Sequence, residues 1–144
     1  MTQTTILYVY TDGGSRGNPG EAALGFYVEN QSQQMLAGIG RRLGVATNNV
    51  AEYNAILEAL SWIVSNKSDL PNLKEVNFFM DSQLASSQLN GVYKVKNSKL
   101  REIIFEIRQK EAEINLAISY SHVPREQNKK ADKLVNQALD EKLT

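Results

Sequence analysis

The chain has 144 residues, the length of one ordinary domain, and its hydrophobic (42%) and charged (22%) fractions are those of a globular protein. Sixteen Lys and Arg balance sixteen Asp and Glu, so the formal net charge is zero and long-range steering of a charged partner is weak. Cysteine is absent and His122 is the single histidine, which excludes a disulfide framework, a thiolate nucleophile, Cys-based metal sites and His-rich metal sites.

Ile6 to Tyr10 is a short apolar, β-prone run that reads as a buried strand ended by Asp12-Gly13-Gly14. Ala22 to Glu29 and Met35 to Leu43 are two further strand-like runs, and the short polar connection between them favours antiparallel pairing. The period then changes. Tyr53, Ile56, Leu57, Leu60, Ile63 and Val64 mark one face of a helix from about Asn49 to Asn66. After a loop to Asn72 comes a strand, Val76 to Met80, and a strand–helix–strand crossover predicts that it lies parallel to the first. A short helix follows over Ser82 to Leu89, then a loop over Asn90 to Ser98. Leu100, Ile103, Ile104 and Ile107 mark another helical face, Ile114 to Tyr120 reads as a fifth strand, and Pro124 to Lys129 leads into a last helix carrying Leu134, Val135, Ala138 and Leu139. The order β-β-β-α-β-α-α-β-α defines a single α/β domain over residues 1–144 with a mixed five-stranded sheet.

In this arrangement Asp12 and Asp81 both follow strands and emerge at one sheet edge, where ligands bind in open α/β sheets. Glu52 falls in the first turn of the crossover helix, and Asp132 in the first turns of the last one. Each acid alone is as well explained by a turn, a helix-dipole partner or a solvated charge. Four together repel one another, and a divalent cation is the usual resolution. The Gly-rich run Gly13 to Gly20 lacks the ending of a phosphate-binding P-loop and no helix follows it. It reads either as a long hairpin turn or as backbone free to approach a nucleic-acid backbone.

Asp12-Gly13-Gly14-Ser15-Arg16-Gly17-Asn18-Pro19-Gly20, then Thr47-Asn48-Asn49-Val50-Ala51-Glu52, then Asp81-Ser82-Gln83, then His122 with Asn128 and Asp132, resemble type 1 ribonuclease H in order and spacing. The resemblance runs from about Ile6 to Leu139. It implies the ribonuclease H-like fold and cleavage of the RNA strand of RNA–DNA hybrids, leaving 5′-phosphate and 3′-hydroxyl ends with little sequence specificity. It implies that Asp12, Glu52, Asp81 and Asp132 hold two Mg²⁺ ions, with Mn²⁺ able to substitute. Asp12 would bridge the ions, Asp132 would complete the site of the ion that activates water, and Glu52 and Asp81 would complete the site facing the leaving oxygen. His122 would help in proton handling or product departure. The backbone of Gly13, Gly14, Ser15 and Gly17, with Glu52, would contact ribose hydroxyls. Asn18, Asn48, Asn49 and Gln83 would reach the minor groove, and Thr47 with Asn49 would hold a DNA phosphate. Arg125, Lys129 and Lys130 either touch phosphate or form a solvated helix start.

One departure from the family stands out. Some members carry a long basic protrusion containing Trp, where this chain offers only Tyr93, Lys94, Lys96 and Lys99; its lone tryptophan, Trp62, is on the crossover helix. The expected partner is an RNA–DNA hybrid, with double-stranded RNA as a conceivable second substrate because both its strands offer 2′-hydroxyls. Met1-Thr2-Gln3-Thr4-Thr5 has no signal-peptide character and no run is long enough to span a membrane, so the expectation is a cytoplasmic monomer with no membrane partner. Two other readings compete: an integrase- or resolvase-type nuclease on the same fold, and a non-catalytic hybrid-binding module. The Asp-Gly-Gly-Ser and Thr-Asn-Asn motifs weigh against the first, and the full set of acids against the second.

Overall fold

The computed structural model describes residues 4–91 and 94–141; Tyr93 of the shortened protrusion lies outside them. Five strands form one sheet in the order β3-β2-β1-β4-β5, where β1 is Thr5–Gly17, β2 Gly20–Asn30, β3 Met35–Ala46, β4 Leu73–Met80 and β5 Ala117–His122. β1, β2 and β3 are antiparallel neighbours, whereas β1, β4 and β5 run parallel. The helices are α1 Asn48–Asn66, α2 Gln83–Leu89, α3 Ser98–Ile114 and α4 Lys129–Asp140.

The periodicities explain the packing. Alternation in β1 and β2 turns Leu7, Val9, Leu24, Phe26 and Val28 to one face, where they meet Tyr53, Ile56, Leu60 and Ile63 of α1. Val76 and Phe78 of β4 and Ile103 and Ile107 of α3 complete this main core. A smaller cluster, Ala23 with Val135, Ala138 and Leu139, seats α4 on the antiparallel part of the sheet. Thr47 caps α1 by accepting from Val50 N at 3.2 Å, and Ser82 caps α2 by accepting from Ala85 N at 3.1 Å. Such caps contribute about 1 kcal/mol each.

Several boundaries differ from the sequence reading, and those nearest the motifs matter most. β1 does not stop at the Asp12-Gly13-Gly14 run but pairs on with β2 from Asp12↔Gly25 to Gly17↔Gly20. Its parallel partner β4 ends earlier, at Thr11↔Met80, so β1 continues past the parallel sheet as half of a hairpin. α1 begins at Asn48 behind the Thr47 cap, which puts Glu52 in the second turn rather than the first. Ile114 closes α3 instead of opening β5, because Asn115 takes a left-handed conformation (φ 54°) that ends the helix. β5 runs on past the expected end at Tyr120, so that His122 is its last residue. Residues 90–97 alone connect α2 to α3, as the missing protrusion requires.

Candidate active site

The strand register sets the site. Thr11, Met80 and His122 lie side by side on β1, β4 and β5. The next residues on the first two strands are Asp12 and Asp81, so both acids leave the parallel sheet at the same level, with His122 one strand further on. Glu52 comes to them from α1, which crosses over β1 so closely that a Cβ on Gly13 would lie 2.3 Å from the Ala51 carbonyl carbon and 2.4 Å from Glu52 N. Gly13 thus serves helix-to-strand contact, and its glycine is explained by protein backbone before any nucleic acid is considered. Gly25 does the same for α4: a Cβ there would meet the Ala131 carbonyl oxygen at 2.7 Å. α4 carries Asp132 in its first turn.

One carboxylate oxygen each from Asp12, Glu52 and Asp81 lie within 4.8 Å of one another. Asp132 lines the same cleft of about 300 Å³ but stands outside that tight group. The four expected acids therefore converge as three plus one. Arg125 borders the cleft with Nε 3.7 Å from Asp81 Oδ2, its side chain otherwise exposed. A larger cleft of about 490 Å³ lies around Thr4, Asn30 and Asp69, towards the opposite end of β1, and brings no such group together.

Crowding shows in the protonation equilibria. Asp12 is only 9% exposed, and burial, then the charges of Asp81, Asp132 and Glu52, push its carboxyl up to about 8. Burial pushes Glu52 up to about 7, with the Ser82 hydroxyl pulling the other way and Asp81 adding to the rise. Like charges in a desolvated cluster disfavour ionisation, and a cation among them reverses the balance. The donor set is entirely oxygen and fits a hard divalent cation.

At the rim, the Asn48 side-chain oxygen accepts from Ser15 N at 2.8 Å and from Ser15 Oγ at 3.0 Å, and the Asn18 side-chain oxygen accepts from Asn48 N at 3.1 Å. Those two carboxamide oxygens tie the β1–β2 hairpin to the start of α1, leaving the amide nitrogens for a ligand. Asn49 and Gln83 are exposed, as is Gly17 at the hairpin tip. Two details go beyond the sequence reading, which named both residues without these contacts. Arg125, largely exposed, forms an ion pair with Asp81 at the cleft, and Asn128 is buried at 1% exposure. Neither contact has a local sequence signal, since the partner lies on another element.

An α/β domain with a mixed sheet and an acid cluster at the ends of its parallel strands defines a class of metal-dependent nucleic-acid enzymes. Residues 10–138 match the family described as reverse transcriptase-like. Ribonuclease HI of Halobacterium salinarum is 37% identical over 136 residues, covering 94% of this chain and 65% of that protein. The bifunctional protein Rv2228c of Mycobacterium tuberculosis is 36% identical over 135 residues, 93% of this chain and 35% of that protein. The solved structure of LC11-RNase H1 in complex with an RNA/DNA hybrid superimposes with a TM-score of 0.87 at 38% identity, over 93% of this chain and 96% of that one. The chain belongs to this family, and within it is similar to type 1 ribonucleases H. It spans less than two thirds of the length of the halobacterial and mycobacterial proteins.

Proposed function

We propose that this chain is an endonuclease that hydrolyses the RNA strand of RNA–DNA hybrids, leaving 5′-phosphate and 3′-hydroxyl ends, with Mg²⁺ held by Asp12, Glu52, Asp81 and Asp132. The observation that carries the reading is the close group of three carboxylates at one sheet edge in a chain of this family. The hybrid bound by LC11-RNase H1 supports the substrate class. Bound among the four acids, the ions would supply a water made nucleophilic near neutral pH and would offset charge on the leaving oxygen. Mn²⁺, which accepts the same oxygen ligands, serves in place of Mg²⁺.

The chain's own groups do the rest. Asp12 and Glu52, whose carboxyls hold protons more tightly than usual, would give them up on holding a cation. Arg125 offsets the charge of Asp81 on the solvent side and meets phosphate oxygens there. The exposed His122 imidazole, at the end of β5, takes or returns a proton at the water or at the leaving 3′ oxygen. The amide nitrogens of Asn18 and Asn48, with Asn49, Thr47 and Gln83, meet the minor groove and backbone of the hybrid, and Gly13 to Gly17 and Glu52 read the 2′-hydroxyls. Such contacts position a duplex without reading its sequence. The working unit is one copy of the chain.

The test is cleavage of one labelled sequence prepared as RNA–DNA hybrid, double-stranded RNA, double-stranded DNA and single-stranded RNA, in Mg²⁺, in Mn²⁺ and in EDTA. The expected result is metal-dependent cutting of the hybrid's RNA strand with 5′-phosphate products. Double-stranded RNA is the other substrate to watch. A folded protein that binds hybrid and does not cut it with either metal would be a binding module.

A further inference from the structure

The acid outside the tight group sits on α4, which packs on the antiparallel half of the sheet rather than in the main core. α4 rests on the sheet through its own small cluster, and its first turn, with Asp132, faces the cleft from the side. One residue connects that turn to the strand carrying Asp12. Asn128, immediately before α4, donates from Nδ2 to the carbonyl oxygen of Thr11 at 2.9 Å, a buried hydrogen bond between residues 117 apart in sequence. Thr11 is the last position of β1 in register with β4, and Asp12 follows it. The backbone oxygen of Asn128 accepts from Asp132 N at 3.1 Å, and its backbone N–H donates to the oxygen of Arg125, whose guanidinium pairs with Asp81, at 2.9 Å. Its Oδ1 is buried without a hydrogen-bond partner, so the carboxamide stays inside for the sake of one donated bond.

We propose that Asn128 is a positioning residue that sets where Asp132 stands relative to Asp12, and thereby the geometry of the metal position that Asp132 completes. This rests on the proposed function for the identity of the fourth ligand. The path is short: Asp12, the Thr11 carbonyl, the Asn128 carboxamide, the Asn128 carbonyl, the Asp132 amide. Three acids are held by the end of the parallel sheet and by α1. The fourth is carried by α4, whose first turn this bond joins to the strand of Asp12; the other side-chain tie of α4 to β1, Arg16 to Asp140, lies at the far end of the helix, so cutting the Asn128 bond alters one metal position and spares the other. Groups that orient metal ligands in this way typically change metal affinity or activity by about 10–100-fold when removed.

The experiment compares the unaltered chain, Asn128→Ala, Asp132→Asn and the double variant. Two quantities are read for each: the rise in melting temperature that Mg²⁺ produces, and the Mg²⁺ concentration for half-maximal cleavage of hybrid. The expected result is that Asn128→Ala shrinks the Mg²⁺-induced rise and raises the half-maximal concentration about tenfold or more. Added to Asp132→Asn, it changes the Mg²⁺-induced rise no further, since residues acting through one another are non-additive. The proposal is overturned if Asn128→Ala lowers the melting temperature but leaves the Mg²⁺-induced rise unchanged, or if it diminishes that rise equally in both backgrounds. A merely structural tie would do either. Should Asn128→Ala not fold, Asn128→Ser, which keeps a polar group in place but falls short of Thr11, carries the same comparison. If the unaltered chain does not cut hybrid, the proposed function fails, and the melting measurements still decide whether Asn128 governs the cation site.

Discussion

Replacing Asp12 with Asn should destroy cleavage and at the same time stabilise the metal-free protein. In the folded chain the Asp12 carboxyl is raised from 3.8 to about 8. A carboxyl whose folded value lies above its unfolded one favours the native state fully only below the unfolded value, and that contribution is lost as pH rises towards the folded one. At pH 7 the gap between 3.8 and the ambient pH amounts to about 4 kcal/mol of destabilisation at 1.36 kcal/mol per unit. Relaxation of the cleft and entry of water reduce this to about 2–4 kcal/mol. Asn has nearly the same shape and no charge to lose, so Asp12→Asn recovers most of it. For a chain of this size that is a rise of about 6–12 °C in melting temperature. The assay is thermal or urea unfolding in EDTA, of both proteins, from pH 4 to pH 8.5. The difference should be near zero at the acid end, grow through neutrality, and level off above pH 8. Adding Mg²⁺ should then stabilise the unaltered chain more than the variant. A variant less stable than its parent in EDTA at pH 8, or a difference that does not change with pH, would refute the argument that burial and like charge strain this cluster.

Three further outcomes follow from the geometry. Gly13→Ala should destabilise the fold by about 3 kcal/mol or more, because its Cβ would collide with α1 backbone that has no room to yield; unfolding by denaturant measures it, and a near-neutral effect would contradict the close contact. His122→Ala should leave stability unchanged and slow turnover by about 10–100-fold, with little change in KM, as a group that moves protons without holding substrate would; complete loss of cleavage would place it beside the acids. Hybrid affinity should fall linearly with salt concentration on logarithmic axes, because with zero net charge phosphate contacts must come from local groups such as Arg125; a flat dependence would remove phosphate contact from the binding.

Most of the sheet and every helix were legible because apolar period changes from two to 3.6 and back along the chain. The errors fell where backbone pairing runs beyond the apolar signal. Residues 12–17 continue a strand although they are polar and rich in glycine, since β2 supplies hydrogen bonds to any residue type. Ile114 looked like strand because an apolar residue at a helix end and one at a strand start are the same letter; the left-handed Asn115 decides between them. The acids were legible through their motifs. That three are tight and one is set apart was not, because distances between elements depend on close approaches such as those at Gly13 and Gly25, which a sequence records only as small residues. Asn128 is the clearest case: its place in the motif was legible, its partner was not, because Thr11 lies 117 residues away and only the fold brings the two together.

The four acids stand at positions 12, 52, 81 and 132, on β1, on α1, just past the end of β4 and on α4, brought together only by the finished chain topology. Their mutual repulsion is therefore nearly absent from the unfolded ensemble and reaches full strength only when β1, β4, α1 and α4 have all closed on one another. A barrier crossed before these elements close leaves that repulsion on its native side. A cation or a low pH should accordingly slow the rate at which the native protein opens while leaving the rate at which it folds almost unchanged.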